Sequence, residues 1–118
     1  MQHEDKYNQN LKKQVSMNTE TWEMLQHKGI TENTELQLDF LYYSPSKEKA
    51  EQLQELLKEY DYEVLISQSG SFLKRRWLVS GKTSKTTVSL QILDQWVHWM
   101  ITAGKQHDSD FDGWGVEV

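Results

Sequence analysis

Three aspartates near the C-terminus are spaced as calcium ligands often are. Asp108, Asp110 and Asp112 alternate with other residues and are followed by Gly113, which matches the first half of an EF-hand loop. Such a loop needs a bidentate glutamate at its twelfth position, whereas the nearby Glu117 stands at the tenth. We therefore predict no metal site here and interpret the segment as an acidic turn that leads into a strand.

The rest of the sequence contains no recognisable catalytic constellation. No two of the 4 histidines have the i, i+3 or i, i+4 spacing of a helical metal pair. No cysteine is present to act as a nucleophile, a thiolate ligand or a disulfide partner. The G-x-S-x-G nucleophile elbow and the glycine-rich phosphate loops are also absent. We predict that the protein is not an enzyme and has no catalytic residues, no metal and no cofactor.

A basic run beside an aromatic residue could bind RNA. Lys74, Arg75, Arg76 and Trp77 are consecutive, and in RNA-binding strands basic side chains neutralise phosphates while an aromatic ring stacks on a base. Of the sequence pattern that is typical of RNA recognition motifs, this run matches only the basic first position and one aromatic position. Direct RNA binding through this run is therefore the alternative function. Burial of Trp77 in the core is the competing structural interpretation.

Composition narrows the class of protein further. The chain has 118 residues and a net charge of −5, which favours a single domain over residues 1–118 and argues against nucleic-acid binding over the whole surface. The lack of cysteine fits a reducing compartment, and the N-terminus does not resemble a signal peptide. The apolar runs are far shorter than the ~20 residues that span a bilayer. We expect a cytoplasmic protein that does not contact membranes.

Hydrophobic periodicity predicts the elements that must position these residues. An apolar stripe with a helical period runs from Tyr7 to Leu25 and is interrupted by Asn18. The N-terminal segment is therefore either one helix or two shorter helices, ending at Gly29. The remaining elements are predicted in the order strand, helix, strand, strand, helix and strand, at residues 36–43, 45–60, 62–66, 72–83, 86–104 and 110–118.

This order of elements predicts an α+β fold of the ferredoxin-like type. A βαββαβ order forms a four-stranded antiparallel sheet with two helices on one face, here preceded by an extra N-terminal helix. We assign residues 1–29 to the helical segment and residues 34–118 to the ferredoxin-like core. The extra helix is expected to cover an edge or part of the open face of the sheet. Ser44 is the predicted N-cap of the first core helix, with Pro45 at its first position.

The last strand resembles the terminal segment of a known protein family. Residues 110–118 read Asp-Phe-Asp-Gly-Trp-Gly-Val-Glu-Val and resemble the D/E-F/Y-D-G-W-G segment of the RraB family, the regulators of ribonuclease E activity. The order of the other elements is similar too, so the resemblance covers about residues 18–118. The two glycines also predict a bulge or a close backbone approach. The specific part of the motif consists of Asp112, Gly113, Trp114 and Gly115.

The resemblance implies a ferredoxin-like domain without enzymatic activity. Founding members of the family bind the C-terminal scaffold region of ribonuclease E and inhibit RNA cleavage through a protein–protein contact. We therefore predict a regulatory protein-interaction domain whose candidate partner is a ribonuclease, with Asp110, Asp112 and Trp114 as the partner-binding residues. Two alternatives stay open. Asp112 either meets the partner or holds the turn through backbone N–H groups, and Trp114 either caps the core or anchors the partner.

Overall fold

The computed structural model of the protein describes residues 2–70 and 76–117. Helices and antiparallel strands make it an α+β fold with an N-terminal helix, as predicted. Within the described residues, no helix is both long enough and apolar enough to cross a membrane. The elements are, in chain order, α1 (Gln2–His27), β1 (Glu35–Leu36), β2 (Leu38–Ser44), α2 (Lys47–Lys58), β3 (Glu63–Ser69), β4 (Arg76–Lys82), β5 (Thr86–Thr87), α3 (Leu90–Lys105) and β6 (Asp110–Val116).

Four of the strands form an antiparallel sheet in the order β3-β4-β2-β6. The central strand β2 pairs with β4 on one side, where Tyr42 lies opposite Val79. On the other side it pairs with β6, where Phe40 lies opposite Trp114. The short strands β1 and β5 pair with each other in a separate ribbon. The two outer strands of the main sheet are therefore β3 and β6, and β6 carries the terminal motif.

One face of this sheet carries the core. Alternate residues of β2, among them Phe40 and Tyr42, are buried on that face, in agreement with the period of two in the sequence. The helices α2 and α3 cover it with their apolar stripes, and the Tyr42 hydroxyl donates to the carbonyl oxygen of Met100 on α3 at 2.6 Å. Burial of each such side chain contributes about 1.5–3 kcal/mol. The opposite face of the sheet, which carries Leu41 and Tyr43, is called the open face below.

The N-terminal helix α1 is one continuous helix of 26 residues that lies against α3 and β6. Its apolar stripe buries Tyr7, Trp22 and Leu25, and Asn18 in the middle of the stripe is also buried. The interruption in the apolar pattern therefore does not divide the helix. Because β6 is an outer strand, α1 covers one edge of the sheet, which is one of the two positions expected for it.

Two predicted helix starts differ from the observed ones because tertiary contacts select another first residue. The helix α2 begins at Lys47 with Ser46 as its N-cap, whose side chain accepts from the Lys49 N–H. The predicted cap, Ser44, instead ends β2, and its hydroxyl oxygen lies 2.5 Å from that of Ser109. The start of α3 is also later than predicted, because the two preceding threonines belong to β5 and pair with β1.

Candidate functional site

A bulge in β6 determines how the terminal motif faces the rest of the protein. Tyr42 lies opposite Phe111 and Leu41 lies opposite Gly113, so Asp112 is the extra residue between them. Gly113 has a φ of 137°, a backbone conformation that favours glycine. Beyond the bulge, Gly113 and the second motif glycine lie on the open face, while Trp114 lies on the helix-covered face. The predicted bulge is thus confirmed.

The side chain of Trp114 joins three elements through hydrogen bonds. Its indole N–H donates to Asn18 Oδ1 on α1 at 2.7 Å, and Asn18 Nδ2 donates to Asp94 Oδ1 on α3 at 3.0 Å. The ring also packs edge-to-face on Trp96, with 6.2 Å between ring centroids. Because both the oxygen and the nitrogen of the buried Asn18 amide have hydrogen-bond partners, the fold avoids the free-energy cost of an unpaired polar group. Trp114 therefore caps the core on this side, and its role toward a partner stays a prediction.

A groove runs along the open face between α1 and β2, with β6 as its floor. It has a volume of about 340 Å³. Gly113 and Gly115 form the floor, where an added Cβ at Gly115 would meet nothing within 4 Å. The groove exists because these two residues have no side chains at positions that would otherwise cover the sheet. Its lining comprises Gln14, Met17, Thr21, Asp39, Phe40, Leu41, Asp112, Gly113, Trp114 and Gly115.

The groove combines apolar surface with acidic groups. Met17 on the α1 wall is 48% exposed, although it is a large apolar side chain. Asp39 is partly neutralised by Lys82, with 3.8 Å between Oδ1 and Nζ. Asp112 is exposed at the bulge, and no cation of the described segments forms a salt bridge with it. Asp112 is therefore the carboxylate of the groove best placed to meet an incoming positive charge.

The third predicted partner-binding residue, Asp110, already has a cation. Its Oδ2 lies 2.8 Å from Lys6 Nζ on α1, and both side chains are largely in solvent, so the pair contributes at most about 1 kcal/mol. Burial raises the pKa of Tyr7, and the negative charges of Asp110 and Asp108 raise this pKa further. Asp110 thus helps to fasten the start of α1 to β6.

The aspartates that resemble half of a calcium loop do not converge. Asp108 lies in a turn at a φ of 51°, with its carboxylate 3.6 Å from Lys49 Nζ. Asp110 pairs with Lys6 instead, and Asp112 lies on the bulge. Among the described residues, no group of three or more His, Cys, Asp or Glu side chains is arranged to hold a metal ion.

The residues of the alternative RNA-binding run do not all share one surface. Arg76 places its guanidinium 4.8 Å from the ring centroid of Tyr43 on the open face. Trp77 is partly buried and packs against the core on the other face, opposite Ser44. A base stacked on the Trp77 ring would therefore not meet Arg76 from the same side. Lys74 and Arg75 lie outside the described residues.

A row of amides on α1 borders the groove region and is a feature that the sequence did not predict. Asn10 Nδ2 donates to the carbonyl oxygen of Phe111 at 2.8 Å, Gln14 Nε2 lies 3.4 Å from Asn10 Oδ1, and Asn18 accepts from Trp114. The row follows β6 along its outer edge. Its signal in the sequence is the spacing of four residues between three amides on one helix face.

A family model described as "RraB: Regulator of ribonuclease activity B" matches residues 16–116. The matched range contains all of the main sheet, α2, α3 and the second half of α1, together with the motif that forms the groove floor. A search of curated proteins finds no match.

Proposed function

The chain belongs to the RraB family of regulators of ribonuclease activity, and on this premise we propose that it is a non-enzymatic regulator that binds a segment of a ribonuclease in the groove beside β6. The segment proposed is extended, basic and partly apolar, as expected for a disordered scaffold region of an enzyme of the ribonuclease E type. Binding to the scaffold, away from the nuclease centre, changes RNA cleavage without any chemistry in the regulator.

The observation that carries this proposal is the shape of the groove. Its floor is glycine backbone, so an extended chain can approach the sheet more closely here than at any position where β-carbons project. Met17 and Leu41 supply apolar contact area on the two sides. Interfaces of this kind gain affinity from a few apolar anchors that enter such depressions.

The charge of the groove selects the partner. Asp112 at the rim is exposed, and it would pair with a lysine or arginine of the incoming segment. Asp110 acts through Lys6, which it holds at 2.8 Å, and so positions the α1 wall. Trp114 anchors the floor from below by its bond to Asn18 and is one of the residues that line the groove.

We further infer that the core is ferredoxin-like. The strands β2, β3, β4 and β6 are the first to fourth of the main sheet along the chain. They lie in the spatial order second, third, first, fourth, and all neighbours are antiparallel. Both core helices lie on the same face, as the split βαβ arrangement requires.

The test is calorimetric titration of scaffold segments of the source organism's ribonuclease into the wild-type chain and two groove variants. Gly115→Val fills the floor at a position where an added Cβ meets nothing within 4 Å, and Asp112→Lys reverses the charge at the rim. We expect each variant to weaken binding at least tenfold, about 1.4 kcal/mol. Thr87→Val, which also places a valine on a strand, and Glu51→Lys, which also reverses a charge, lie at exposed positions outside the groove and should bind as the wild type does.

A different result would move the binding site. If both groove variants bind the nuclease as tightly as their controls, the groove is not the site. Association of the chain with the ribonuclease could instead depend on RNA. If it is lost once RNA has been digested, and is weaker in Arg76→Ala, the alternative of direct RNA contact is favoured. In that case the logarithm of the affinity should fall with the logarithm of salt concentration by about 0.7 per phosphate contacted.

A further inference from the structure

The two outer strands of the main sheet are covered to different extents. The edge of β6 is covered by α1, where Asn10 donates to the carbonyl oxygen of Phe111, and it carries a bulge. Within the described residues, β3 has a strand neighbour on one side only, namely β4. One backbone group of β3 has a side-chain partner, since Gln54 Nε2 on α2 donates to the Val64 carbonyl oxygen at 2.9 Å. Otherwise an edge strand presents a row of backbone N–H and C=O groups that can pair with another strand.

The sequence of β3 lacks the features that usually prevent such pairing. No charged residue and no proline occurs between Val64 and Gly70, and the strand is paired with β4 without a bulge from Glu63 to Ser69. Protected edges normally carry lysine, proline, a bulge or a covering element. On β3, Leu65 is 72% exposed and is the most exposed large hydrophobic side chain of the described residues.

We propose that β3 is an interaction surface for a second copy of this chain, paired antiparallel across a two-fold axis at Ile66. This register opposes the whole of one β3 to the whole of the other and joins two four-stranded sheets into one continuous sheet. Cross-strand neighbours must point to the same face, so a two-fold axis perpendicular to the sheet has to pass midway between the two copies of one residue. Ile66 is the middle residue of the strand.

The charges at the ends of β3 are complementary in this register. Glu63 of one copy lies opposite Ser69 of the other, and Ser69 lies opposite Arg76 within its own sheet. The Glu63 carboxylate of one copy and the Arg76 guanidinium of the other therefore lie on the same face of the sheet. They are two strands apart, and only the small side chain of Ser69 lies between them. Two such pairs form, one on each side of the axis, and no like charges are brought together along the strands.

The apolar side chains of β3 are self-complementary as well. The two copies of Ile66 become direct cross-strand partners, and the two copies of Leu65 become diagonal neighbours, which lie within reach of long side chains. Beyond the partner's Ser67, each Leu65 also faces Leu78 of the other sheet. The most exposed apolar side chain is thereby covered, which favours a second copy over an unrelated strand as the occupant.

The first test is analytical ultracentrifugation of the full chain over a range of concentrations up to hundreds of micromolar. We expect the apparent mass to rise from 14.0 kDa toward twice that value. Ser67→Lys places a positive charge directly on the paired edge and should keep the protein at the monomer mass. Ser16→Lys makes the same change on an exposed position of α1 and should associate as the wild type does.

The register is tested by oxidative crosslinking. The chain has no cysteine of its own, so a single substitution reports one position. Ile66→Cys should form a disulfide-linked dimer, because directly opposed residues have Cα atoms about 4.5–5.5 Å apart. Ser69→Cys should not, because its copy would lie roughly 20 Å away.

Two outcomes would overturn the proposal. A wild-type chain that stays at the monomer mass at every concentration excludes the second copy as the occupant. Weaker binding of Ser67→Lys to the ribonuclease segment in that case would assign the edge to the partner instead. Equal crosslinking of the two cysteine variants would exclude the proposed register. Neither the mass nor the crosslinking depends on the groove, so failure of the groove variants leaves these two tests unaffected.

Discussion

At the scale of single residues, the bond between Trp114 and Asn18 explains why a polar residue stands in an apolar stripe. Asn18 is fully buried, accepts from the Trp114 indole and donates to Asp94. It links β6 to α1 and α3 at one point. Removing one partner leaves a buried polar atom unpaired, which costs more than the hydrogen bond itself contributes.

We predict that Trp114→Phe and Asn18→Leu each lower the free energy of unfolding by about 1–3 kcal/mol. The double variant should lose less than the sum of the two, because the second change removes the group that the first left unpaired. Urea denaturation measures all three. Asn8→Leu, at an exposed position of α1, is the control. Strictly additive losses would show that the two side chains act independently.

At the scale of elements, close approach of the backbone decides where glycine is required. Gly104 lies in α3, and a Cβ added there would come within 2.7 Å of Tyr42 Cε2 and 2.8 Å of the Ser109 carbonyl oxygen. Both neighbours are buried and held by other contacts. The helix α3 can therefore lie against β2 only because this residue has no side chain.

We predict that Gly104→Ala lowers the free energy of unfolding by about 1–3 kcal/mol, because overpacking outweighs the helix propensity that alanine would add. Gly115→Ala is the matched control, since its added Cβ meets nothing within 4 Å, and its effect should stay within about 0.5 kcal/mol. Thermal and urea denaturation of the two variants provide the comparison. Equal stability of both would mean that α3 shifts without cost.

The amide row shows a second property of whole elements. A helix that covers a sheet edge must satisfy the backbone groups of that edge, and Asn10 does this for Phe111. The helix α1 therefore carries polar residues at positions that an isolated amphipathic helix would fill with apolar ones. At the opposite edge, Gln54 of α2 donates to the Val64 carbonyl oxygen at 2.9 Å, but no strand of the described residues pairs with the outer side of β3, and this is where we place the second copy.

At the scale of the whole molecule, buried tyrosines link stability to alkaline pH. The pKa of Tyr42 lies well above its ordinary value, first because of burial and then because of Tyr62. Burial also raises the pKa of Tyr62, the bond from the Trp96 N–H lowers it, and Tyr60 raises it again. The folded state therefore holds these phenols neutral at a pH where the unfolded chain ionises them.

We predict that stability falls as pH rises above about 10, where tyrosines of the unfolded chain lose their protons. A phenol with a raised pKa stabilises the folded state fully below that pH. Its contribution is lost above it at about 1.4 kcal/mol per pH unit. Urea denaturation at pH 9, 10 and 11 measures the slope. Tyr42→Phe should be less stable at pH 9 and should show a shallower slope than the wild type. An unchanged slope would contradict a raised pKa for Tyr42.

The chain has a net charge of −5, and the fold determines where its charged side chains lie. On the open face, Asp39 and Asp112 lie by the groove, while Arg76 and Lys82 stand on β4. The sheet therefore places acidic and basic side chains side by side, with the Asp39–Lys82 pair at their border.

The sequence by itself determined the order of the main-sheet strands and of the two core helices, and the family, because hydrophobic periods, turn residues and a terminal motif are local patterns. It did not predict the ribbon of β1 and β5, most of whose residues it assigned to neighbouring elements. The two glycines of the last strand also predicted a bulge or a close backbone approach, and the structure has the bulge. Only the tertiary structure decided that Ser44 belongs to β2, that Asn18 completes the contact with Trp114, and that Arg76 and Trp77 face opposite sides. Each of these depends on which strand lies beside which and in what register, and that is set by packing between residues far apart in the chain. The groove has the same origin, because its floor and its α1 wall come from opposite ends of the sequence.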